Sequence, residues 1–529
     1  MAKPAFKPYQ QRQLMLLPPD ISELVPEDSV ARVVDAVVEA LDRERLVGLY
    51  PGGGAPAHDP AMMLKVVLYA YASGVYSSRK IARATRENVC FMWLTGMTPL
   101  DHMTVNRFRS ERIRPAFEAI FTELVALLAE KGMLDLSTYF LDGTKVEANA
   151  NRYTFVWRKA VEGNRAKLQA KVRAHLEEVD RLCEAEESLA ALLPEEDAEV
   201  TSGDVARVAG AINARLEGSP KSRPLKRAKR LVERDFLPRL EGYESRVAEI
   251  GGGRGSLSKT DPDATFMRMK EDHMGNGQLK AGYNVQVGTQ NQVVVHATLH
   301  QRPGDTACAV PHLESLRAQF GGLPATLVAD AGYGSEGNYE WLRAEGVEAF
   351  VKYGNYHREQ RPKFKRDPTK PKNWSYDEAS DAYTCGFGRR LTFVCERGER
   401  SDLGHVGRTR HYRCEDCSGC PHRKACIRGD DGEKRRTAYI NPAADAHRRR
   451  AEALLNSERG EELKKRRSTD VETVFGDIKR DFGFTRFTLR GLEKCTLEFR
   501  LVAAGHNIRK LHAFTHPKPK VRHREKAGA

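Results

Sequence analysis

The sequence predicts a mixed α/β core that follows a helical N-terminal region and is interrupted by two insertions. Three observations support this fold class. Apolar residues recur with helical spacing through residues 1–135, and strand-like segments alternate with helical ones between residues 136 and 352. Two long polar blocks, 158–255 and 353–444, separate the strand-like segments from one another and from a final helical stretch.

These changes of pattern divide the chain of 529 residues into seven parts. The predicted parts are a helical N-terminal DNA-binding domain (1–135), the first part of the core (136–157), a helical insertion (158–255), the second part of the core (256–352), a cysteine-rich insertion (353–444), C-terminal core helices (445–512) and a basic disordered tail (513–529).

The N-terminal helices are predicted to bind DNA because two of them are basic. Segments 77–85 and 104–113 carry this charge, and two short helices joined by a compact link can form a helix-turn-helix reader. A helical bundle with a solvated basic face explains the pattern equally well. The candidate DNA-binding residues of this region are Arg79, Lys80, Arg107 and Arg109.

Strand formers cover residues 137–143, and a hairpin is predicted over 283–299. After a helix over 306–320, two more strands are predicted at 325–329 and 348–352. This order of elements is that of a mixed sheet covered by helices.

The first insertion is predicted to be a helical arm. Apolar residues three and four positions apart predict one long helix over 158–192 and further helices over 205–216 and 231–250. A dense basic cluster at 221–230 lies between them. We therefore expect the arm to contact DNA or a second protomer.

The charge balance favours a polyanionic partner. The chain has 86 Lys and Arg residues against 72 Asp and Glu, a net charge of +14. Dispersed cations of this kind attract nucleic acid, although they also keep a protein in solution. No apolar stretch reaches the roughly 18 residues that a membrane span requires, and the N-terminus lacks the apolar segment of a secretory signal. We expect a cytoplasmic protein without membrane contact.

Asp142 and Asp330 are the first two candidate catalytic residues. Each follows a predicted strand and precedes a glycine-containing turn. Strand ends of an open α/β sheet line the ligand crevice, so carboxylates there are often functional. The alternative is that each aspartate only helps the chain to leave its strand through a turn.

Glu472 is the third candidate. It borders the apolar stripe of a predicted amphipathic helix over 468–479, from which it can reach a neighbouring sheet. The alternative is a capping box in which Thr469 caps the helix and Glu472 is the acidic partner.

Three converging carboxylates would form an oxygen-rich site suited to Mg²⁺ or Mn²⁺. Two such ions can activate a nucleophile and stabilise the leaving oxygen in phosphodiester transfer. Cations near Glu472 in the sequence would hold the DNA backbone. These candidate DNA-binding residues are Arg466, Arg467, Lys479, Arg486 and Arg490.

Three blocks resemble the catalytic blocks of bacterial insertion-sequence DDE transposases. They are TYFLDGTKVEANANRYTF (138–155), LVADAGYGS (327–335) and RRSTDVETVFGDIKRDFGFTRFTLRG (466–491). The most similar group is the one numbered eleven-eighty-two, related to the IS-four superfamily, and SKTDPDATFM (258–267) and GYNVQ (282–286) also resemble it.

The resemblance implies an RNase H-like core in which Asp142, Asp330 and Glu472 hold two Mg²⁺ or Mn²⁺ ions. It implies an enzyme that cuts the terminal inverted repeats of its element and joins the 3′-hydroxyls to target DNA. Because two ends must be cut and joined, we expect a homodimer, and we expect it to be associated with the nucleoid. Lys479 fits the superfamily's DNA-contacting lysine. The superfamily pattern also expects Tyr at position 465 and Arg at position 468, where this chain has Lys and Ser. The alternatives are a catalytically silent DNA-binding regulator and an RNase H-like nuclease without end joining.

Other acidic residues lie in or beside the core and are weaker candidates for metal ligands. Asp305 fits a helix cap before Thr306, and Asp261 precedes a proline and fits a turn. The remaining members of this group are Asp263 and Asp272.

A compact cysteine cluster predicts a structural Zn²⁺ site. Its four thiols are Cys414, Cys417, Cys420 and Cys426. In a reducing compartment such density favours tetrahedral zinc over disulfides. His422 could replace one cysteine, and Cys385 and Cys395 are near enough in sequence to be reserve ligands.

Overall fold

The computed structural model describes residues 20–50, 56–183, 188–195, 197–269, 277–401, 404–427, 429 and 433–517. Asp272 and most of the predicted basic tail lie outside these residues. Among the helices described below, none is long and apolar enough to cross a bilayer.

The N-terminal region consists of helices that pack around buried apolar side chains. Ser29 caps the first helix by accepting a hydrogen bond from the backbone N–H of Ala31. The basic helices α4 and α6 are separated by a third helix, α5, so they are not joined by the compact link of the predicted pair. The seven helices are α1 (Val30–Glu39), α2 (Arg43–Val47), α3 (Pro60–Ala72), α4 (Ser78–Glu87), α5 (Val89–Leu94), α6 (His102–Arg107) and α7 (Arg114–Glu130).

The core contains a mixed six-stranded sheet. Strand β5 lies antiparallel to β1 on one side and to β4 and β6 on the other, whereas β7 and β8 continue the sheet in parallel from the opposite edge of β1. This order fits an RNase H-like core. The strands are β1 (Thr138–Glu147), β4 (Thr265–Arg268), β5 (Leu279–Gln290), β6 (Val293–His300), β7 (Thr326–Ala329) and β8 (Glu348–Val351), and a small pair, β2 (Phe155–Trp157) and β3 (Ser256–Ser258), lies outside the sheet.

The predicted hairpin is confirmed. Its turn residues Asn291 and Gln292 both have positive φ, at 53° and 64°, as expected for a tight two-residue turn. Strand β1 differs from the prediction because it continues to Glu147, so Asp142 lies in the middle of a strand and not at its end.

Two regions outside the sheet have separate apolar clusters. The first contains α8 (Arg158–Cys183), α9 (Ser202–Gly218), α10 (Arg223–Leu231) and α11 (Leu237–Ile250). Helix α8 is described to Cys183, and the last residues of the predicted long helix, Ala190–Leu192, form a separate 3-10 turn. The second is built on the antiparallel strands β9 (Ser375–Asp377), β10 (Ala382–Thr384), β11 (Arg390–Arg400), β12 (Val406–Cys414) and β13 (Thr437–Ile440).

The remaining helices are α12 (Ala309–Phe320), α13 (Glu336–Ala344), the short α14 (Tyr356–Glu359), α15 (Pro362–Lys365) and α16 (Arg423–Cys426), then α17 (Pro442–Leu455), α18 (Glu458–Arg467), α19 (Thr473–Gly476) and α20 (Leu492–Thr515). Five of them, α12, α13, α17, α18 and α20, pack on the sheet, whereas α16 lies at the cysteine cluster. Helix α20 crosses α3 closely: a Cβ on Gly505 would lie 2.7 Å from the backbone nitrogen of Ala72. Only glycine permits this approach.

A buried polar cluster joins the N-terminal helices to α20. The Glu498 side chain is fully buried and lies 3.9 Å from the Arg109 guanidinium. Its oxygens also accept hydrogen bonds from the backbone N–H groups of Thr488 and Leu489, both at 2.9 Å. Burial raises the pKa of Glu498, while these bonds and the Arg109 charge oppose the rise. Arg109 also donates to the Tyr71 hydroxyl at 3.0 Å.

Glu498→Ala should lower the free energy of unfolding by about 3–5 kcal/mol, because it leaves the Arg109 charge buried without its acidic partner. Denaturant unfolding measures this change. Glu493→Ala is the matched control, since Glu493 also pairs with an arginine of the N-terminal helices but is 78% exposed, and we expect a loss below about 1 kcal/mol. Equal losses of unfolding free energy in the two variants would contradict a stabilising role for the buried pair of Glu498 and Arg109.

His296 and His312 are buried between the sheet and α12, and the half-buried His300 lies beside them. The His312 ring bonds Thr298 Oγ1 and the Tyr139 hydroxyl, both at 2.7 Å. Burial lowers the pKa of His312 well below its usual value and that of His296 to about 3. Burial likewise lowers the pKa of His300 to about 4. All three are therefore neutral in the folded protein near neutral pH.

The protein should lose stability as the pH falls below about 6.5, the pKa of an unfolded histidine. Below that pH the unfolded chain binds protons that the folded chain excludes, and each histidine contributes up to about 1.4 kcal/mol per pH unit. Melting temperatures between pH 7.5 and 5 should fall less steeply in His312→Gln than in the wild type. His516→Gln, at the exposed end of α20, should keep the wild-type slope; an unchanged slope in His312→Gln would refute this account.

Candidate active site

The pairing of β1 with β7 brings Asp142 and Asp330 together. The two strands are parallel, and Leu141 lies opposite Ala329 at the last residue of β7. Asp142 and Asp330 are the residues that follow this last pair, so they lie next to each other on the same face of the sheet. Asp330 accepts a hydrogen bond from the backbone N–H of Gly332 at 2.8 Å, which fixes its carboxylate in the turn after β7.

A π-helical turn over Ser468–Glu472 presents Arg467 and Glu472 to the same site. Hydrogen bonds in such a turn join residues five positions apart, so side chains with that spacing lie above one another. Arg467 Nη1 lies 4.0 Å from Glu472 Oε1. Buried Asp470 anchors the turn, because it accepts hydrogen bonds from Thr289 Oγ1 at 2.7 Å and from the backbone N–H of Gln292 at 3.0 Å.

All three predicted acids surround the guanidinium of Arg467. Its Nη2 donates to Asp142 Oδ2 at 2.7 Å and lies 4.0 Å from Asp330 Oδ2, in addition to the Glu472 contact. The side chains of Arg467 and Asp142 are 12% and 9% exposed, whereas that of Glu472 is 62% exposed. The site therefore extends from a buried floor at Asp142 to an open rim at Glu472.

The helix around Glu472 is continuous with α18, so this residue does not belong to an N-terminal capping box. Thr469 Oγ1 instead donates to the carbonyl of Arg466 at 2.9 Å. The predicted apolar stripe is confirmed, since Val471, Val474 and Ile478 are buried.

The donor chemistry of the site fits Mg²⁺ or Mn²⁺, because all three acids supply hard oxygen ligands. As their side chains are placed, however, no group of three or more His, Cys, Asp or Glu residues in the described part of the chain could hold a metal ion. The carboxylates are arranged around the Arg467 guanidinium.

Asp305 is a fourth carboxylate beside the site. It does not cap the helix that begins at Thr306; its Oδ1 accepts hydrogen bonds from Asn284 Nδ2 at 2.7 Å and Gln286 Nε2 at 2.9 Å. A Cβ on Gly143 would lie 2.5 Å from that same oxygen. The sequence analysis missed this location because an aspartate directly before a helix is typical of a helix cap.

Two further residues near the acids were not predicted. Lys352 follows β8, and burial together with the positive charges of Arg467 and Lys464 lowers its pKa, against the opposing effect of Asp330 and Glu472. Burial and the negative charges of Asp305, Asp142 and Asp330 raise the pKa of Tyr333. The signal in the sequence that could have identified them is their position: Lys352 directly follows β8, and Tyr333 lies in the turn after β7.

The predicted basic residues of the C-terminal segment lie along β1 and the chain that follows it. Lys479 Nζ donates to the carbonyl of Lys145 at 3.0 Å, and the Arg466 guanidinium lies 5.5 Å from the centre of the Phe140 ring. Arg486 and Arg490 donate to carbonyls of residues 148–150. Both arginines are exposed.

In the N-terminal region, Arg79, Lys80 and Arg107 are exposed. Arg109 is not: it is 3% exposed and belongs to the Glu498 cluster. This burial contradicts the predicted contact of Arg109 with DNA. An open groove between α4 and α6 is lined by three arginines, Arg79, Arg83 and Arg86, and by His102, Asp101 and Ala82.

The weaker acidic candidates have structural contacts. Asp261 is buried and accepts hydrogen bonds from the Tyr283 hydroxyl at 3.0 Å and from the backbone N–H of Gly491 at 3.2 Å. Asp263 accepts one from the backbone N–H of Leu492 at 2.8 Å. Both carboxylates therefore hold the start of α20.

The four predicted cysteine ligands line one small cavity together with Cys385. Backbone N–H groups of Arg389 and Arg436 point at the sulfurs of Cys385 and Cys417, at 3.3 and 3.4 Å. Cys414 instead donates to the carbonyl of Asp416 at 3.2 Å. Cys395 and His422 are not among the residues that line the cavity. The thiols suit zinc chemically, although no three of them are arranged to hold an ion.

Two family models match the chain. Residues 384–512, which include Glu472 and the cysteine cavity, match the model described as "Transposase DDE domain". Residues 19–111, which contain the basic N-terminal helices, match the model described as "Transposase domain (DUF772)". No curated protein matches the chain. Transposases act on DNA, and the DDE match indicates an enzyme. Together, the mixed α/β core and the two matches support an insertion-sequence transposase.

Proposed function

We propose that this protein is a DNA transposase that cuts phosphodiester bonds at the terminal inverted repeats of an insertion sequence and joins the 3′-hydroxyl ends to target DNA. The observation that carries the proposal is the arrangement of Asp142, Asp330 and Glu472 around one guanidinium. These acids come from two adjacent strands and a helix that are far apart in the sequence. We assign the chain to the eleven-eighty-two group on the motif resemblance.

The three carboxylates would hold the divalent ions, which would activate the attacking oxygen and stabilise the leaving one. The buried position of Asp142 excludes water from the floor of the site. Asp330 and Glu472 are more exposed, so the scissile phosphate can approach from their side. The hydrogen bond from the backbone N–H of Gly332 orients the Asp330 carboxylate.

The DNA would run along the exposed cations beside this opening. Arg486 and Arg490 are exposed and lie against residues 148–150, which follow β1. Lys479 lies against β1 itself. Arg79, Lys80 and Arg107 would contact the terminal repeat at the N-terminal helices. Two ends must be cut and joined, which favours a homodimer.

Asp142→Asn, Asp330→Asn and Glu472→Gln should each reduce Mg²⁺- or Mn²⁺-dependent cleavage by about a thousandfold or more, because each removes one ionised ligand. The measurement is cleavage and joining of a supercoiled plasmid that carries the element ends, with DNA binding followed separately by gel shift. Asp481→Asn is the control: Asp481 is exposed, lies in the same C-terminal segment and contacts none of the three acids. It should cleave like the wild type.

Full cleavage by any of the three active-site variants would remove that residue from the site. Cleavage without joined products in the wild-type protein would indicate a nuclease, and DNA binding without cleavage would indicate a regulator.

We further propose that the cysteine cavity holds one structural Zn²⁺. The cavity brings Cys385 to the four cysteines of the predicted cluster, so five thiols are available for four positions. Amide N–H groups that point at the sulfurs of Cys385 and Cys417 would stabilise bound thiolates. The buried S–H of Cys414 is already used by a backbone carbonyl, which favours Cys385, Cys417, Cys420 and Cys426 as the ligands.

The purified protein should contain about one zinc per chain by elemental analysis, as four thiolates complete one tetrahedral site. Cys385→Ser should lower both the zinc content and the melting temperature, whereas Cys395→Ser, outside the cavity, should change neither. If the Cys385→Ser protein still bound zinc, the ligands would instead be the four cysteines predicted from the sequence, which include Cys414. A metal-free wild type whose melting temperature does not respond to zinc would reject the site.

A further inference from the structure

We propose that Arg467 is a resident counter-cation of the proposed metal site, and that divalent ions bind there only after its guanidinium leaves Asp142. The inference rests on the proposed function and concerns how its metals enter. It starts from the position of Arg467, within 2.7–4.0 Å of a carboxylate oxygen of each of the three acids.

Three carboxylates in one small site repel one another. The repulsion is strongest near Asp142, because its side chain is only 9% exposed and water screens its charge poorly. A guanidinium in their midst offsets this repulsion and donates a charge-assisted hydrogen bond to Asp142. Arg467 is thus suited to hold the three acids close together.

The same position conflicts with a metal ion. Mg²⁺ binds carboxylate oxygens at about 2.0–2.1 Å, and Arg467 Nη2 already lies 2.7 Å from Asp142 Oδ2. A divalent ion on the same oxygen would lie close to the guanidinium and would be repelled by it. The other oxygen of Asp142, Oδ1, already accepts a hydrogen bond from the backbone N–H of Gly143 at 2.8 Å. Asp330 and Glu472 lie 4.0 Å from the guanidinium, beyond hydrogen-bonding distance. The bond to Asp142 is therefore the one that metal binding must break.

A displaced Arg467 has a natural second partner. A planar guanidinium pairs well with phosphate, and the site opens towards solvent at Glu472. A DNA phosphate at this opening would attract Arg467 and free Asp142 for the metal. DNA binding would then strengthen metal binding, and metal binding would strengthen DNA binding, because each favours the position of Arg467 away from Asp142.

The test is Mn²⁺ binding to the full-length protein without DNA, followed by the electron paramagnetic resonance signal of free Mn²⁺. Arg467→Gln should bind Mn²⁺ about tenfold more tightly than the wild type, on the scale by which groups around a ligand alter metal affinity. Arg466→Gln is the matched control: it removes the same charge one residue earlier, from a side chain directed to Phe140 and Asn291. Its Mn²⁺ affinity should stay close to that of the wild type.

Equal or weaker Mn²⁺ binding in Arg467→Gln than in the wild type would overturn the inference. If Arg467→Gln does not fold, Arg467→Lys provides the same test, because an ammonium cannot reach all three acids as the guanidinium does. It should bind Mn²⁺ more tightly than the wild type, and unchanged or weaker binding would again overturn the inference.

Asp142→Asn separates this inference from the proposed function. Mn²⁺ binding that needs Asp142 but does not respond to Arg467 would leave the transposase proposal intact and refute the counter-cation. Mn²⁺ binding by none of the variants, together with absent DNA cleavage, would refute both.

Discussion

The centre of this structure depends on one interaction: the positive charge of Arg467 compensates the negative charges of Asp142, Asp330 and Glu472. Asp142 lies on a nearly buried strand, where an ionised carboxylate is costly unless a cation and hydrogen bonds accompany it. The parallel register of β1 with β7 supplies the second acid, and the π-helical turn supplies both the arginine and the third. Asp470 ties that turn to the hairpin, so the arrangement depends on the sheet and not on the helix alone.

The mixed sheet and the hairpin could be predicted because strand formers and turn residues leave local patterns in the sequence. The three acids were selected as candidates from two strand ends, one amphipathic helix and the resemblance to known motifs. The sequence did not predict how β1 continues past Asp142. Strand length depends here on pairing with β5, more than one hundred residues away. The superfamily pattern places an arginine at position 468, which in a regular α-helix lies one turn before Glu472. The π-helical turn adds one residue per turn, so Arg467 is the residue that reaches the acids.

Tertiary burial explains the other differences. A basic N-terminal helix suggested that Arg109 faces DNA, but the partner that buries it, Glu498, belongs to the last helix of the core. Asp305 looked like a helix cap, although the amides of Asn284 and Gln286 on β5 hold it beside Gly143. Cys385 joined the cysteine cavity because the turn between β10 and β11 brings it there, whereas Cys395 lies further along β11. Each of these contacts joins residues that are distant in the sequence, so the spacing of neighbouring residues could not predict it.

The close crossing of α20 over α3 has a mechanical consequence. At Gly505 the two helices touch backbone to backbone, with no side chain between them to act as a cushion. This contact ties the N-terminal helices, which carry the groove at α4, to the helix that packs on the sheet carrying the acids. On the proposed function, one duplex bound at both places would have to span the distance between them.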